Sequence, residues 1–164
     1  SLGEGLLELQ AARWQQEGVT LEESAARLEA LRERMCQVFT VEDLRYLRAT
    51  GRLSNAKAAI GTILNIKPLL KGNEEGKIVV YDKVRGKKKA LEALAEIYDK
   101  TVDDRGTPIG IAHADAPADA LHLQNLLRDR GAEGETTHVC YEPVTGAHVG
   151  PGTVALFFYG KAWR

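Results

Sequence analysis

His148 stands in the segment Thr145-Gly146-Ala147-His148-Val149-Gly150-Pro151-Gly152, directly ahead of a Gly-Pro-Gly turn. Glycines on both sides let a backbone approach a ligand closely and would leave the imidazole exposed, where a ring N–H can donate to an anion. An ordinary turn histidine fits the same pattern. Arg52, in Thr50-Gly51-Arg52-Leu53-Ser54, follows a glycine hinge and precedes a helix start capped by Ser54. A guanidinium there can receive a carboxylate or phosphate in a charge-assisted contact, or simply be a surface arginine after a turn. His113 closes the strand-like Ile109-Gly110-Ile111-Ala112-His113, either as a ligand residue at a strand end or as a structural histidine tied to the Asp115 cap. Lys83, Arg85, Lys87, Lys88 and Lys89 form a basic run. It reads as a solvated loop or as a docking surface for an acidic or phosphate-bearing partner.

Other chemistries lack their residues. No GxxxxGK[ST] phosphate loop, no GxGxxG after a strand and no GxSxG nucleophile elbow occurs. His138 and Cys140 lie two apart on one strand face without a second pair at ligand spacing, so no metal site is expected. The net charge of −1 and the lack of aromatics within the basic run argue against nucleic acid. Cys36 and Cys140 are too few and too separated for a disulfide framework and suit a reducing compartment. No apolar run approaches the roughly 18 residues of a membrane span, and no secretory leader opens the chain. The cytoplasm is therefore the expected location.

These residues need elements to hold them. At 164 residues the chain can bury a substantial core without covalent staples. Helical spacing of Leu2, Leu6, Leu9 and Trp14 predicts a helix over residues 2 to 17, ended by Gly18. Thr20 with Glu23 is a capping-box signal for a second helix, whose apolar stripe runs Leu21, Ala25, Leu28, Leu31, Met35. Next come a short strand over residues 36 to 40, a brief helix through Tyr46 and Leu47, and a small-residue helix around Ala56 to Gly61. A strand over residues 63 to 70 follows, with Pro68 at an edge or bulge. It pairs as a hairpin with residues 77 to 84, and an amphipathic helix spans residues 88 to 100. The last third alternates strand (residues 108 to 112), helix (117 to 130) and strand (136 to 141), and ends in the apolar strand Thr153 to Tyr159. The expected fold is α/β (α+β): a two-layer sandwich with a mixed sheet of about six strands, preceded by two helices.

Taken in order, Tyr46-Leu47 with Gly51-Arg52-Leu53-Ser54, Leu64-Asn65-Ile66-Lys67-Pro68, and Lys83-Val84-Arg85-Gly86 with Lys88-Lys89-Ala90 resemble the DegV family. So do Gly110-Ile111-Ala112-His113-Ala114-Asp115 and His148-Val149-Gly150-Pro151-Gly152. The resemblance covers essentially the whole chain. It implies a bacterial cytoplasmic protein of lipid metabolism that binds one long-chain fatty acid, without catalysis and without a cofactor. The tail would lie in the C-terminal domain and the carboxylate at the domain interface, and some relatives present the acid to a fatty acid kinase for phospholipid synthesis. On that footing Arg52 and His148 line the carboxylate end, and Arg85, with Lys87 beside it, lies where kinase docking is ascribed.

The family's N-terminal domain, with its Asp-Ser-Thr and Ser-Gly-Thr motifs, has no counterpart here. Ser1-Leu2-Gly3 resembles that domain's late serine motif, so Ser1 is a further carboxylate candidate. Residues 1–35 are then expected to be a helical remnant of the N-terminal domain or its junction, and residues 36–164 the lipid-binding domain. Candidates for the tail slot are Ile60, Ile63, Leu64, Ile66 and Leu156 or Phe158. Burying about 14 methylenes at about 0.8 kcal/mol each gives a gross drive near 11 kcal/mol, before the ordering costs of association. Two other classes compete: the substrate domain of a dihydroxyacetone-kinase-like enzyme, and a regulatory module acting through the basic run.

Overall fold

The computed structural model describes residues 1–53 and 65–161. The expected helix from Ala56 to Gly61, together with Ser54, Ile60, Ile63 and Leu64, lies outside them. Among the described residues, helices α1 (Leu2–Gln16) and α2 (Leu21–Arg32) precede strand β1 (Met35–Thr40) and helix α3 (Arg45–Ala49). Then follow β2 (Ile66–Gly72), β3 (Ile78–Arg85), α4 (Lys87–Thr101), β4 (Ile109–Ala114), α5 (Pro117–Asp129), β5 (Thr136–Cys140), α6 (Pro143–Val149) and β6 (Thr153–Tyr159).

The six strands form one mixed sheet in the order β3-β2-β1-β6-β4-β5. Only β4 and β5 run parallel, joined through α5 as a β-α-β unit; the other pairs are antiparallel. Pro68 pairs with Lys83 of β3 near a register shift at Leu69/Leu70 and lies one residue beyond the last β1 pair, Thr40 with Leu69, so the ladder to β1 asks no amide of it. Met35, placed by its spacing at the end of the α2 stripe, instead opens β1, because α2 stops at Arg32. No residue of α2 is buried.

Alternation along β6 divides the interior. Val154, Leu156 and Phe158 pack against α4 and α5, where Leu91, Leu94, Tyr98, Leu123 and Leu127 are buried. The Tyr98 and Phe158 rings meet edge to face at 5.1 Å, an arrangement worth about 1 kcal/mol beyond the area buried. Ala155, Phe157 and Tyr159 face the other way, towards Leu6 of α1, Met35 and Ala112. A helix thus also covers the second face, which is why all seven residues of β6 are buried and read as one apolar run. Gly110 permits this approach: a Cβ there would lie 2.8 Å from a methyl of Leu2. A third cluster, Val41, Leu47, Leu53, Leu70, Ala114 and Val149, joins α3 and α6 to one end of the sheet.

Candidate functional site

That end of the sheet gathers most of the polar candidates. His148 lies in the last turn of α6, where the glycine pattern suggested an open loop. Pro143 at the first helical position and Glu142 at the N-cap start this helix. The Glu142 carboxylate accepts from Val144 N at 2.6 Å, from Thr145 N at 2.9 Å and from the Thr145 hydroxyl. These bonds, the Thr145 hydroxyl first, hold the Glu142 carboxyl below the usual range. At the far end Gly150 takes φ +78°, and a Cβ on it would sit 2.4 Å from the Tyr46 ring. His148 is accordingly half-buried, not exposed, and its Nδ1 is buried with no hydrogen-bond partner among the described residues.

Arg52 is exposed, and its guanidinium donates to the carbonyl of Thr50 at 2.7 Å, folding back on the end of α3. His113 is buried and its Nδ1 accepts at 3.3 Å from the backbone N of Ala116, which, and not Asp115, is the N-cap of α5. His138 pairs with Gln124 at 2.8 Å; burial and the neighbouring His113 depress its pKa. No group of three or more metal-capable side chains occurs among the described residues. None of their helices is long and apolar enough to cross a membrane.

A cavity of about 360 Å³ opens on the α1 face of the sheet, within the range of small-molecule sites. Its apolar lining comes from Met35 and Phe39 of β1, Ala155 and Phe157 of β6, and Val149 of α6. The β2–β3 hairpin contributes Gly72, Asn73, Glu74 and Ile78, while Tyr141 and Thr145 add hydroxyls. Burial pushes the Tyr141 phenol well above its usual range. Ser1 also lines the cavity.

Of the expected slot residues, Leu156 and Phe158 lie in the core beneath α4 and α5, on the opposite face from the cavity, which Ala155 and Phe157 line. A strand apolar at every position carries no alternation from which to choose a face. Ile66 is half-buried at the start of β2 and, like Arg52 and His148, is not part of the lining, although Thr145 and Val149 flank His148 on the same helix. Tyr141 and Thr145 were not anticipated, and their pattern offered no signal. Among the basic residues, Arg85, Lys88 and Lys89 are exposed. Lys87 is not a free surface charge as expected: only 20% exposed, it donates to the Gly152 carbonyl and stands 3.5 Å from Asp119 and 3.9 Å from Glu42.

Comparison with known proteins adds context. A family model described as "Uncharacterised protein, DegV family" matches residues 1–161. A DegV domain-containing protein of Streptococcus pyogenes serotype M6 is 38% identical over 143 residues, 87% of this chain and 51% of that protein. The crystal structure of a fatty acid binding DegV family protein from Streptococcus agalactiae superposes with a TM-score of 0.86 at 39% identity, covering 97% of this chain and 56% of that one. A fatty-acid-binding DegV family protein from Thermus thermophilus gives 0.88 at 30% identity, covering 98% and 58%. The chain thus spans about half the length of the curated relatives it matches.

Proposed function

The chain belongs to the DegV family, and from that premise we propose that it holds a long-chain fatty acid, tail in the cavity on the α1 face and carboxylate towards Ser1, Arg52 and His148. The observation that carries this reading is the cavity itself, whose apolar lining includes Phe39, Ala155 and Phe157 and which Thr145 and Val149 of α6 also line, on either side in sequence of His148, whose Nδ1 has no partner among the described residues. Apolar burial supplies the gross affinity, and a buried ring nitrogen without a partner gains a full hydrogen bond when a carboxylate reaches it. Two solved relatives of at least 30% identity are described as fatty-acid-binding, which supports the same ligand class.

In this reading the protein is a cytoplasmic carrier and not a catalyst, needs no cofactor, and offers the acid to a kinase through the exposed Arg85. Residues 1–35 belong with an N-terminal domain or its junction, and α1 is the part that closes the second face of the sheet.

Mass spectrometry of an organic extract from the purified protein tests the ligand class. A stoichiometric fatty acid is expected. An empty protein that consumes ATP with a small ketose would replace the carrier by the kinase-like enzyme. For the carboxylate end, Arg52→Ala or His148→Ala should each weaken a fluorescent fatty acid by about 10- to 100-fold, the loss of one charge-assisted contact. Unchanged affinity in both folded variants would remove these residues from the site.

A further inference from the structure

We infer that Lys87 is a positioning residue for the carboxylate end, acting through the Gly150–Gly152 turn that fixes His148. The inference rests on the fatty-acid reading above. Three groups pin the turn directly behind His148. The Gly152 amide donates to the Ala114 carbonyl at 2.7 Å, tying the turn to the end of β4. The buried Thr153 hydroxyl donates back to the carbonyls of Val149 and Gly150 at 3.0 and 2.9 Å. The third group is the Lys87 ammonium, the charged donor, on the Gly152 carbonyl.

The ammonium is itself held from several sides. Asp119 in the first turn of α5 lies 3.5 Å away and Glu42, just beyond β1, 3.9 Å away. Glu42 is in turn anchored by Lys67, whose side chain is only 7% exposed. Two cations and two carboxylates balance, so the cluster has no surplus charge with which to attract a ligand or partner. Its geometry instead joins β1, β2, α4 and α5 to one turn. Paired, partly desolvated charges keep a fixed arrangement better than exposed ones, because fewer waters compete for each of them. The same arrangement links the turn to the first residue of α4, two residues beyond Arg85.

Displacement of a bound fluorescent fatty acid by hexadecanoic acid, and by hexadecan-1-ol of equal chain length, tests this with the chain as it stands. Lys87→Met is expected to weaken the acid about 10-fold and the alcohol less than about 2-fold. In a His148→Ala background the same substitution should cost no more than about 2-fold in acid affinity, because the group being positioned is gone. That arm separates positioning from through-space attraction, which would persist without the imidazole. Equal loss for acid and alcohol, or additive losses with His148→Ala, would make Lys87 merely structural and overturn the inference. Unchanged acid affinity in Lys87→Met overturns it alone; a wild type that takes up neither probe overturns the lipid reading and this inference together. Should Lys87→Met fail to fold, Asp119→Asn carries the test, with an acid-selective loss of about 2- to 3-fold expected and equal acid and alcohol losses, or none, overturning it.

Discussion

The two cysteines show how local surroundings decide chemistry that residue type leaves open. Cys36 is 1% exposed on the α4 face of β1, and burial, with Asp103 adding to it against Arg34, pushes its thiol up to about 11. The thiolate is the reactive form, so a buried thiol with a raised pKa is inert at neutral pH. Cys140, at the end of β5, is exposed. A maleimide at pH 8 should therefore modify Cys140 within minutes and Cys36 only after denaturation, as read by mass spectrometry of the intact protein. Equal labelling of both in the folded state would contradict the burial of β1. Thiolate formation at Cys36 would also act on stability. With its folded pKa above the unfolded one, stability is fully present below the unfolded value and falls as pH rises through about 11.

At the scale of elements, β6 separates the packed core from the cavity by side-chain parity. Leu156 belongs to the packed core under α4 and α5, and Ala155 to the cavity lining. Leu156→Ala should cost about 2–5 kcal/mol of stability and leave fatty-acid affinity nearly unchanged in the protein that remains folded. Ala155→Phe should instead fill part of the cavity and abolish uptake, with a smaller loss of stability. Chemical denaturation paired with fluorescent fatty-acid titration distinguishes the two, and a reversed pattern would place the tail on the other face. Much of this frame is legible in the chain. The hairpin, the β4-α5-β5 unit, α4 and the extent of β6 all follow from periodicity and turn residues. Helix α6 does not, because Pro143 to Val149 has no apolar stripe and contains Gly146. It exists through the Glu142 cap and the packing of Val149 and Tyr46. Missing it made His148 look exposed. The face of β6 was illegible for the opposite reason: both of its sides are covered.

Seen whole, the molecule sets its candidate groups at one rim of the sheet and its cavity on one face. His148, the Gly150–Gly152 turn, Lys87, Glu42 and Arg52 were scattered along the sequence. Only the return of β6 between β1 and β4 brings them to a common end. That placement could not come from local patterns, since it depends on strand order. The basic run shows the same limit: spacing presented five similar charges, yet the fold turns Lys87 inward and leaves Arg85, Lys88 and Lys89 outside.

The strand order carries one more consequence. Among the described residues β3 and β5 end the series, with Leu53 bridging to Ile78 at the start of β3, and the end of a sheet is where the strand of a second copy would add. β5 is short, with five residues, whereas β3 runs for eight and exposes Tyr81, Asp82, Lys83 and Arg85. Charges along such an edge repel a second copy approaching in register. The basic residues of β3 therefore guard against self-association whatever else they recruit. A Lys83→Thr/Arg85→Thr variant should fold normally yet scatter light and bind an amyloid dye on storage at high concentration, while the parent stays clear. A clear solution from the variant would show that something other than these charges prevents self-association.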